Sequence, residues 1–273
     1  MSMNADELSS RKPDRLTLAS IAVLAYVIST VAHEAVGHGG ACLVVGCTPR
    51  VLTSMSFDGD YTHLPRLAER IIAAGGSVVN LIVAALAFLM LRRIRPGNPA
   101  SWVFCWLLGT VSLLQATGYL LFSGLGGIGD WVVVVADLPG GALWHIGLAI
   151  VGGVTYWLAV RQSMLLLGPR LHTAMRSREA YGYTLIAYFA GGTVAIVAGM
   201  FDPSAAALLL ISAAAASLGG TSGLLWGPQL LRNPRFAAVS EPLSPLGRNW
   251  RWVAWGVVAA AIHIFIFGPG LRF

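Results

Sequence analysis

The segment His33-Glu34-Ala35-Val36-Gly37-His38 lies within an apolar run that extends from Leu16 to Val45. Two imidazoles and one carboxylate therefore sit where a lipid bilayer favours hydrocarbon, and ionisable groups at that depth are costly and usually functional. Two histidines about one helical turn apart, with a glutamate between them, supply two metal ligands and a general base, as in zinc hydrolases. The alternative is a buried polar cluster that joins helices, but helix packing does not require three such groups together.

The spacing of the two histidines constrains the helix that carries them. His33 and His38 are five residues apart and diverge by about 140° on a regular α-helix, whereas residues four apart diverge by only about 40°. A π-bulge would bring the two imidazoles into line, and Gly37 would ease it. Two other arrangements remain open. The helix could loosen near Gly37, Gly39 and Gly40, or Glu34 and His38 could form a simple hydrogen-bonded pair.

Composition predicts an integral membrane protein. The 273 residues are 56% hydrophobic and only 11% charged, with a mean hydropathy of +0.71, whereas about a quarter of the residues of a soluble domain are charged. The net charge of +6 comes almost wholly from arginine, which suits cytoplasmic loops that face anionic lipid. No basic patch is interleaved with aromatic residues, so nucleic acid is not an expected partner. Three cysteines, at positions 42, 47 and 105, are too few for a disulfide framework.

The predicted fold is an all-α polytopic membrane protein with six to seven transmembrane helices and a small β-hairpin-like loop after the first. A helical span takes about 20 residues. The predicted spans are 16–38, 69–91, 101–122, 142–160, 183–201, 204–226 and 251–268. The chain divides into a polar cytoplasmic tail (1–15), a core of three spans with the β-like loop 47–68 (16–141), and additional transmembrane helices (142–273).

The positions of the acidic residues narrow the choice of a third metal ligand. Of the twelve Asp and Glu residues, only Glu34, Asp130 and Asp137 lie within or beside apolar segments away from tails, loops and helix ends. The first and third spans run in the same direction, so the end of the first, with His33 and His38, lies on the same side of the membrane as Asp130. Asp137, two residues before Pro139, is the alternative third ligand.

In order and approximate spacing, residues 16–141 resemble the site-2 protease (M50-type) intramembrane metalloproteases. The matching elements are His33-Glu34 with His38 for the family's HExxH, strand-like 50–57 for its hairpin, Gly75-Gly76-Ser77-Val78-Val79-Asn80 for its GPxxN, and Asp130 or Asp137 for its downstream aspartate. The resemblance implies one zinc ion bound by His33, His38 and Asp130, with Glu34 as the general base and Asn80 as a substrate-positioning residue. This chain departs from the family in having HExxxH, with Gly37 where the second histidine would stand.

The expected function is a zinc-dependent endopeptidase that hydrolyses peptide bonds of a membrane protein or peptide, at or within the lipid bilayer. Two alternatives come from other classes. One is a membrane metal-binding or transport protein without hydrolytic activity, and the other is a non-haem iron oxidase, since two His and one carboxylate also suit iron. A helical substrate must unwind before it is cut, so we assign the strand-like stretch Arg50 to Phe57 to pairing with it by β-augmentation.

The distribution of basic residues predicts the orientation. With the N-terminus inside, 14 of the 18 Lys and Arg residues face the cytoplasm, as the positive-inside rule favours. The predicted location is a bacterial cytoplasmic membrane, with the metal site toward its extracytoplasmic half.

The remaining polar residues of the spans have simpler expected roles. Gln115 and Tyr119 would face a polar interior and could orient a metal ligand. His145 and His263 should each donate a hydrogen bond to a neighbouring helix, and His63 should lie on an exposed loop.

Overall fold

The computed structural model describes residues 12–95, 97–171, 176–202, 215–233 and 242–273, and most of them are helical. We number the α-helices α1 to α9, the π-helices π1 to π3 and the strands β1 to β3 in chain order. The α-helices are Arg15–Val31, Gly40–Val45, Arg66–Leu91, Pro99–Gly126, Asp130–Val135, Ala142–Leu167, Arg176–Gly199, Gly223–Trp226 and Trp250–Ile262; the π-helices are Ala32–Gly39, Ala215–Gly219 and His263–Phe267; the strands are Thr48–Leu52, Phe57–Asp60 and Leu271–Arg272. Short 3₁₀-helices follow α6 at Gly168–Arg170 and α8 at Gly227–Arg232.

The all-α polytopic fold is confirmed. Among the residues described, six helical segments are long and apolar enough to cross a bilayer: Arg15–Val45, Arg66–Leu91, Pro99–Gly126, Ala142–Arg170, Arg176–Gly199 and Trp250–Phe267. Large apolar side chains such as Ile82, Leu86 and Ile150 stay more than half exposed on these helices. Lipid would solvate such side chains, so the helices need only their inward faces for packing.

Several predicted boundaries are too narrow. The first span continues seven residues past His38 to Val45, because the sequence stays apolar until Gly46, whose φ of 83° ends the helix in the left-handed conformation. The fourth span extends to Arg170 and takes up half of the predicted loop 161–182. Much of the predicted span 204–226 lies outside the described residues, and the part that is described holds π2 and α8. Residues 1–11 of the predicted tail 1–15 also lie outside the described residues.

The β-hairpin-like loop is confirmed, but the expected continuous strand from Arg50 to Phe57 is wrong. Strands β1 and β2 pair antiparallel from Thr48 opposite Asp60 to Leu52 opposite Phe57. Between them the chain turns at Thr53–Ser56, where the Thr53 N–H donates to the Ser56 carbonyl over 2.8 Å. The Thr53 hydroxyl also accepts hydrogen bonds from the backbone N–H groups of Met55 and Ser56. A hydroxyl that accepts from backbone N–H groups two and three residues on stabilises a turn.

Both edges of β1, the strand that holds the first part of the stretch Arg50 to Phe57, are already paired, one with β2 and the other with β3. The strand order is β2-β1-β3, with Val51 opposite Arg272 and Leu52 opposite Leu271. The Phe273 N–H extends this pairing by donating to the Arg50 carbonyl over 3.0 Å. Within the described part of the chain, the open edge nearest the motif helix is therefore the outer edge of β2.

A single local disulfide joins Cys42 of α2 to Cys47, directly before β1. The low cysteine count gave no sign of this bond. Cys105 is free and buried. The disulfide ties the hairpin to the end of the first membrane span.

Helix α4 runs through the centre of the bundle and carries fully buried side chains such as Trp106, Leu107 and Val111. Helix α3 packs between α4 and π1. It approaches π1 so closely that a Cβ added at Gly37 would lie 2.5 Å from the Gly76 Cα and 2.8 Å from the Gly75 carbonyl oxygen. Small residues allow such backbone contact between membrane helices.

We expect Gly37→Ala to weaken metal binding and to destabilise the protein by about 1–3 kcal/mol, the usual cost of overpacking a tight contact. The added methyl group must push π1 away from α3. Gly40→Ala is the matched control, because a Cβ at Gly40 meets nothing within 4 Å. Bound zinc per protein and the thermal unfolding midpoint would be measured for both, and equal behaviour of the two variants would contradict this account of the contact.

Candidate metal site

The π-helix π1 brings the two histidines of the motif together. The Nε2 atoms of His33 and His38 lie 3.1 Å apart, with the rings edge to face. The wider turn of a π-helix places residues i and i+5 on one face, so it resolves the five-residue spacing. The alternative of a Glu34–His38 hydrogen bond is not what is seen, since Glu34 Oε2 lies 4.0 Å from His38 Nε2.

Asp130 completes a triangle with the two imidazoles. Its Oδ2 atom lies 3.1 Å from His33 Nε2 and 3.6 Å from His38 Nε2. The chain reaches this position through two glycines after α4 that adopt the left-handed region, Gly127 with φ 62° and Gly129 with φ 93°, which glycine tolerates better than other residues.

Two hydrogen bonds hold the short helix α5 in place around Asp130. The Trp131 indole N–H donates to Ser77 Oγ on α3 over 3.1 Å. The Ser123 hydroxyl of α4 donates to the Ile128 carbonyl over 3.0 Å. Hydrogen bonds to α3 and α4 thus hold the segment that carries Asp130. Such outer hydrogen bonds orient metal ligands.

The triangle has the dimensions of a metal site. Its edges of 3.1, 3.1 and 3.6 Å compare with about 3.3 Å between ligand atoms in a tetrahedral zinc site with bonds of 2.0–2.1 Å.

The two histidines are buried, at 2% and 7% exposure. Burial alone would raise the pKa of Asp130, but its interactions with the neighbouring imidazoles of His33 and His38 outweigh burial and hold the pKa below its usual value. The carboxylate is therefore in the form that binds a cation, and the three side chains together could hold a metal ion.

The hydrogen bond behind His38 favours the tautomer that a metal requires. Its Nδ1 lies 2.8 Å from the Ile72 carbonyl oxygen. A carbonyl only accepts, so Nδ1 carries the proton and the neutral ring keeps a lone pair on Nε2, which faces His33 and Asp130. Such a backbone acceptor behind the ring is a common feature of metal-binding histidines.

His33 is held by α3 and α4. Tyr119 stacks on its ring with centroids 4.8 Å apart and planes 16° apart. Asn80, fully buried, places Nδ2 3.2 Å from His33 Nδ1 and 3.4 Å from Gln115 Oε1. The sequence expectation that Gln115 and Tyr119 face the site is met. Asn80, which the resemblance makes a substrate-positioning residue, lies behind His33 and does not line the cavity.

A cavity of about 250 Å³ lies in front of the triangle. Glu34, His38 and Asp130 form one wall, while Ser56 and Phe57 of the hairpin form part of another. Glu34 is only 5% exposed. Its carboxylate borders the cavity beside the triangle without belonging to it, which leaves it free to act on a molecule bound there.

Asp137, the alternative third ligand, lies apart from the histidines. Its carboxylate is 78% exposed and pairs with Arg66 over 3.3 Å. Its φ of 61° makes it the left-handed residue of a turn. The structure therefore brings Asp130 to the histidines and leaves Asp137 on the surface.

The other histidines lie outside the cluster. His145 Nδ1 donates to the Ser123 carbonyl of α4 over 3.1 Å, as expected for a helix-bridging residue. His263 is buried in π3, but its Nδ1 has no partner among the described residues, so the expected bond to a neighbouring helix is not observed at that atom. His63 is exposed on the loop after β2, and His172 lies outside the described residues.

Sequence reasoning placed Gly76 and Ser77 in the GPxxN-like stretch without giving either a role, and it did not identify Trp131 as part of the site. A Cβ at Gly76 would lie 2.5 Å from His33 Nε2 and 2.7 Å from His38 Nε2, so only glycine leaves room for both rings against α3. The signal was present in the Gly75-Gly76 pair four residues before Asn80. The hydrogen bond from Trp131 to Ser77 joins residues far apart in sequence and has no local signature.

The chain matches no protein-family model, no curated protein and no solved structure in these three comparisons. The resemblance to site-2 proteases therefore rests on the sequence elements named above alone.

The two aspartates provide a matched pair of substitutions. We expect Asp130→Asn to lose most of the bound metal, because it removes the charge of one of three protein ligands. Asp137→Asn should keep the metal, since it alters only an exposed ion pair. Metal content after purification would be measured by mass spectrometry. Retention in Asp130→Asn together with loss in Asp137→Asn would reverse the assignment.

Proposed function

We propose that this protein is a zinc-dependent endopeptidase that hydrolyses peptide bonds at or within a membrane. One observation carries the proposal: the His33, His38 and Asp130 triangle has a non-ligating carboxylate, Glu34, 4.0 Å from one of its corners. Three protein ligands with a neighbouring carboxylate are typical of catalytic zinc sites, which keep their fourth position for water or substrate. The location in a bundle of apolar helices restricts the substrates to polypeptides that reach membrane depth.

Each residue has a defined chemical task in this proposal. Zinc at the triangle would polarise the scissile carbonyl and make a water molecule acidic near neutral pH. Glu34 would accept the proton from that water at its carboxylate and pass it to the leaving amine. Its position beside His38 and on the cavity wall suits that transfer, and its separation from the triangle is what a base that is not a ligand requires.

The hairpin borders the route by which a substrate would arrive. A peptide bond within a transmembrane helix is shielded by its own hydrogen bonds, so the segment must unwind. Phe57, the first residue of β2, lines the cavity, and the outer edge of β2 is the open strand edge beside it. An unwound segment could pair with that edge by β-augmentation. Pairing with β1 would first require β3 to leave.

Non-haem iron chemistry is the second candidate, because iron is bound by the same types of ligand. Two His and one carboxylate form the ligand triad of many Fe(II) oxygenases. A catalytic base such as Glu34 has no necessary part in that chemistry, which is why we place hydrolysis first. Zinc in the purified protein would support the peptidase, iron would support the oxidase, and bound metal without catalysis would support a binding or transport protein.

Substitution of Glu34 separates catalysis from metal binding. We expect Glu34→Gln to bind zinc as the wild type does and to lose peptidase activity by at least a factor of about 100, since general bases contribute 10²–10⁴-fold. Membranes from cells that express wild-type or Glu34→Gln protein would be compared for new peptide termini by mass spectrometry. New termini within apolar segments should appear only with the wild type.

Two results would contradict the proposal. Equal sets of new termini in both samples would show that Glu34 does not act in proteolysis. Loss of metal in Glu34→Gln with retention in His33→Ala would make Glu34 and His38 the ligand pair.

We also propose that the N-terminus lies in the cytoplasm of a bacterial cell, so that the site opens toward the extracytoplasmic half of the membrane. Fourteen of the 18 basic residues then face inward. The Cys42–Cys47 disulfide lies at the outer end of the first span in this orientation. Disulfides persist in oxidising compartments such as the bacterial periplasm, so the covalent structure agrees with the charge distribution.

Cysteine labelling tests the orientation. His63→Cys and Gly97→Cys place thiols on exposed loops at opposite ends of α3. An impermeant maleimide should label His63→Cys in intact cells and should label Gly97→Cys only after the membrane is opened. The native background is low, because Cys42 and Cys47 are paired and Cys105 is buried. Labelling of Gly97→Cys alone in intact cells would invert the orientation.

A further inference from the structure

His33 differs from His38 in the hydrogen bond behind its ring. His38 Nδ1 faces a carbonyl, which accepts. His33 Nδ1 faces the amide nitrogen of Asn80, which donates. With a donor at Nδ1, the neutral ring of His33 must carry its proton on Nε2, and that proton suits the 3.1 Å hydrogen bond to Asp130. This tautomer has no lone pair at Nε2 for a metal.

Asn80 has an unused acceptor that could reverse this arrangement. Its Oδ1 is buried and has no hydrogen-bond partner among the described residues, which is costly for a polar atom away from water. Rotation of the amide by 180° would bring Oδ1 to His33 Nδ1. Nδ1 would then carry the proton and Nε2 would gain the lone pair, as already holds for His38.

The residues behind Asn80 can follow such a rotation. Asn80 Nδ2 now donates to Gln115 Oε1, which also accepts from the Ser29 hydroxyl over 2.7 Å. If the Gln115 amide also turned, its nitrogen would donate to Asn80 Oδ1 and to Ser29 Oγ. Ser29 could then donate to Ser112, whose hydroxyl lies 2.9 Å away, at a contact in which either oxygen can be the donor. All four side chains are buried, so the exchange of donors and acceptors would take place within the bundle.

We propose that Asn80 is a positioning residue that sets the tautomer of His33, and that metal binding turns its amide so that Oδ1 accepts from His33 Nδ1. The inference rests on the metal site of the proposed function. It replaces the role in holding substrate that the sequence resemblance implies, since Asn80 is fully buried behind the imidazole. Partners of this kind typically change metal affinity by 10–100-fold.

The test compares zinc affinities, measured by competition with a chelator of known affinity, for the purified full-length protein and three variants. Asn80→Leu keeps the approximate volume but offers no acceptor, and it should weaken zinc binding by about 10–100-fold. Asn80→Asp offers only acceptors and should keep the affinity within a few-fold of wild type or increase it. Gln115→Glu cannot donate to a turned Asn80, and it should weaken binding by about 10-fold.

The Asp and Glu variants control for each other, because each places one carboxylate in the same buried network. A general effect of buried charge would move both affinities in the same direction, and that result would overturn the proposal. Unchanged affinity in Asn80→Leu would show that Asn80 only fills space. Weakening in Asn80→Asp as large as in Asn80→Leu would show that Asn80 acts as a donor. Thermal unfolding of each metal-free variant would identify any that fails to fold, and the remaining variants still decide between these outcomes.

This test is independent of proteolysis. If the wild type binds no zinc, the proposed metal site itself fails. If the wild type binds zinc and the variants depart from the expected order, the metal site stands and the role of Asn80 fails.

Discussion

The backbone contact between Gly37 and the Gly75-Gly76 pair is the constraint on which the site depends. It lets helix α3 lie directly against π1, with a spacing that a single added Cβ would not fit. From that position α3 supplies the Ile72 carbonyl behind His38, the Asn80 amide behind His33, and the Ser77 hydroxyl that holds the Trp131 indole. Separation of α3 from π1 would therefore release both imidazoles and the aspartate together.

The five-residue spacing of the histidines is compatible with one metal only because the helix widens locally. A regular α-helix would point the two rings about 140° apart, whereas π1 sets their Nε2 atoms 3.1 Å apart. The same widening leaves Glu34 beside His38 without a hydrogen bond to it. In HExxH enzymes a regular helix places two histidines four residues apart on one face, whereas here a π-helix places two histidines five residues apart on one face.

Polar side chains inside a helical bundle impose a second requirement, because each buried polar atom needs a hydrogen-bond partner. Ser29, Gln115, Asn80 and His33 form a continuous chain of contacts from α1 through α4 and α3 to π1. The Asn80 oxygen is the member of this chain left without a partner among the described residues. A metal bound at His33 Nε2 would need an acceptor at His33 Nδ1, and the Asn80 oxygen is the acceptor nearest to that position in this chain of contacts.

Much of the site could be predicted from the sequence, because its parts lie in or beside membrane spans. Hydropathy predicted the long helices. The alternating direction of successive spans predicted that His33, His38 and Asp130 lie at one end of the bundle. The spacing of His33 and His38 limited the motif helix to a few geometries, of which the π-helix was one. The end of the first span was placed too early, at His38, although the apolar sequence and the helix both continue to Val45.

Features that depend on pairing between distant residues could not be predicted. The hydrogen bonds from Asn80 to His33 and from Trp131 to Ser77 join different helices, and their residues carry no local pattern. The pairing of Leu271–Arg272 with β1 is of the same kind. A strand of two residues has no periodicity to detect, so the edge of β1 looked available to a substrate.

X-ray absorption spectroscopy at the zinc edge of the purified, zinc-loaded protein tests the central claim most directly, since it reports the ligands of the bound ion. The account predicts scattering from two imidazole rings and from oxygen ligands, all at about 2.0–2.2 Å, with no sulfur neighbour. Substitution of either His33 or His38 should remove one imidazole contribution. A spectrum of the wild type that fits one imidazole, or that contains a sulfur ligand at about 2.3 Å, would contradict a metal shared by the two histidines of π1.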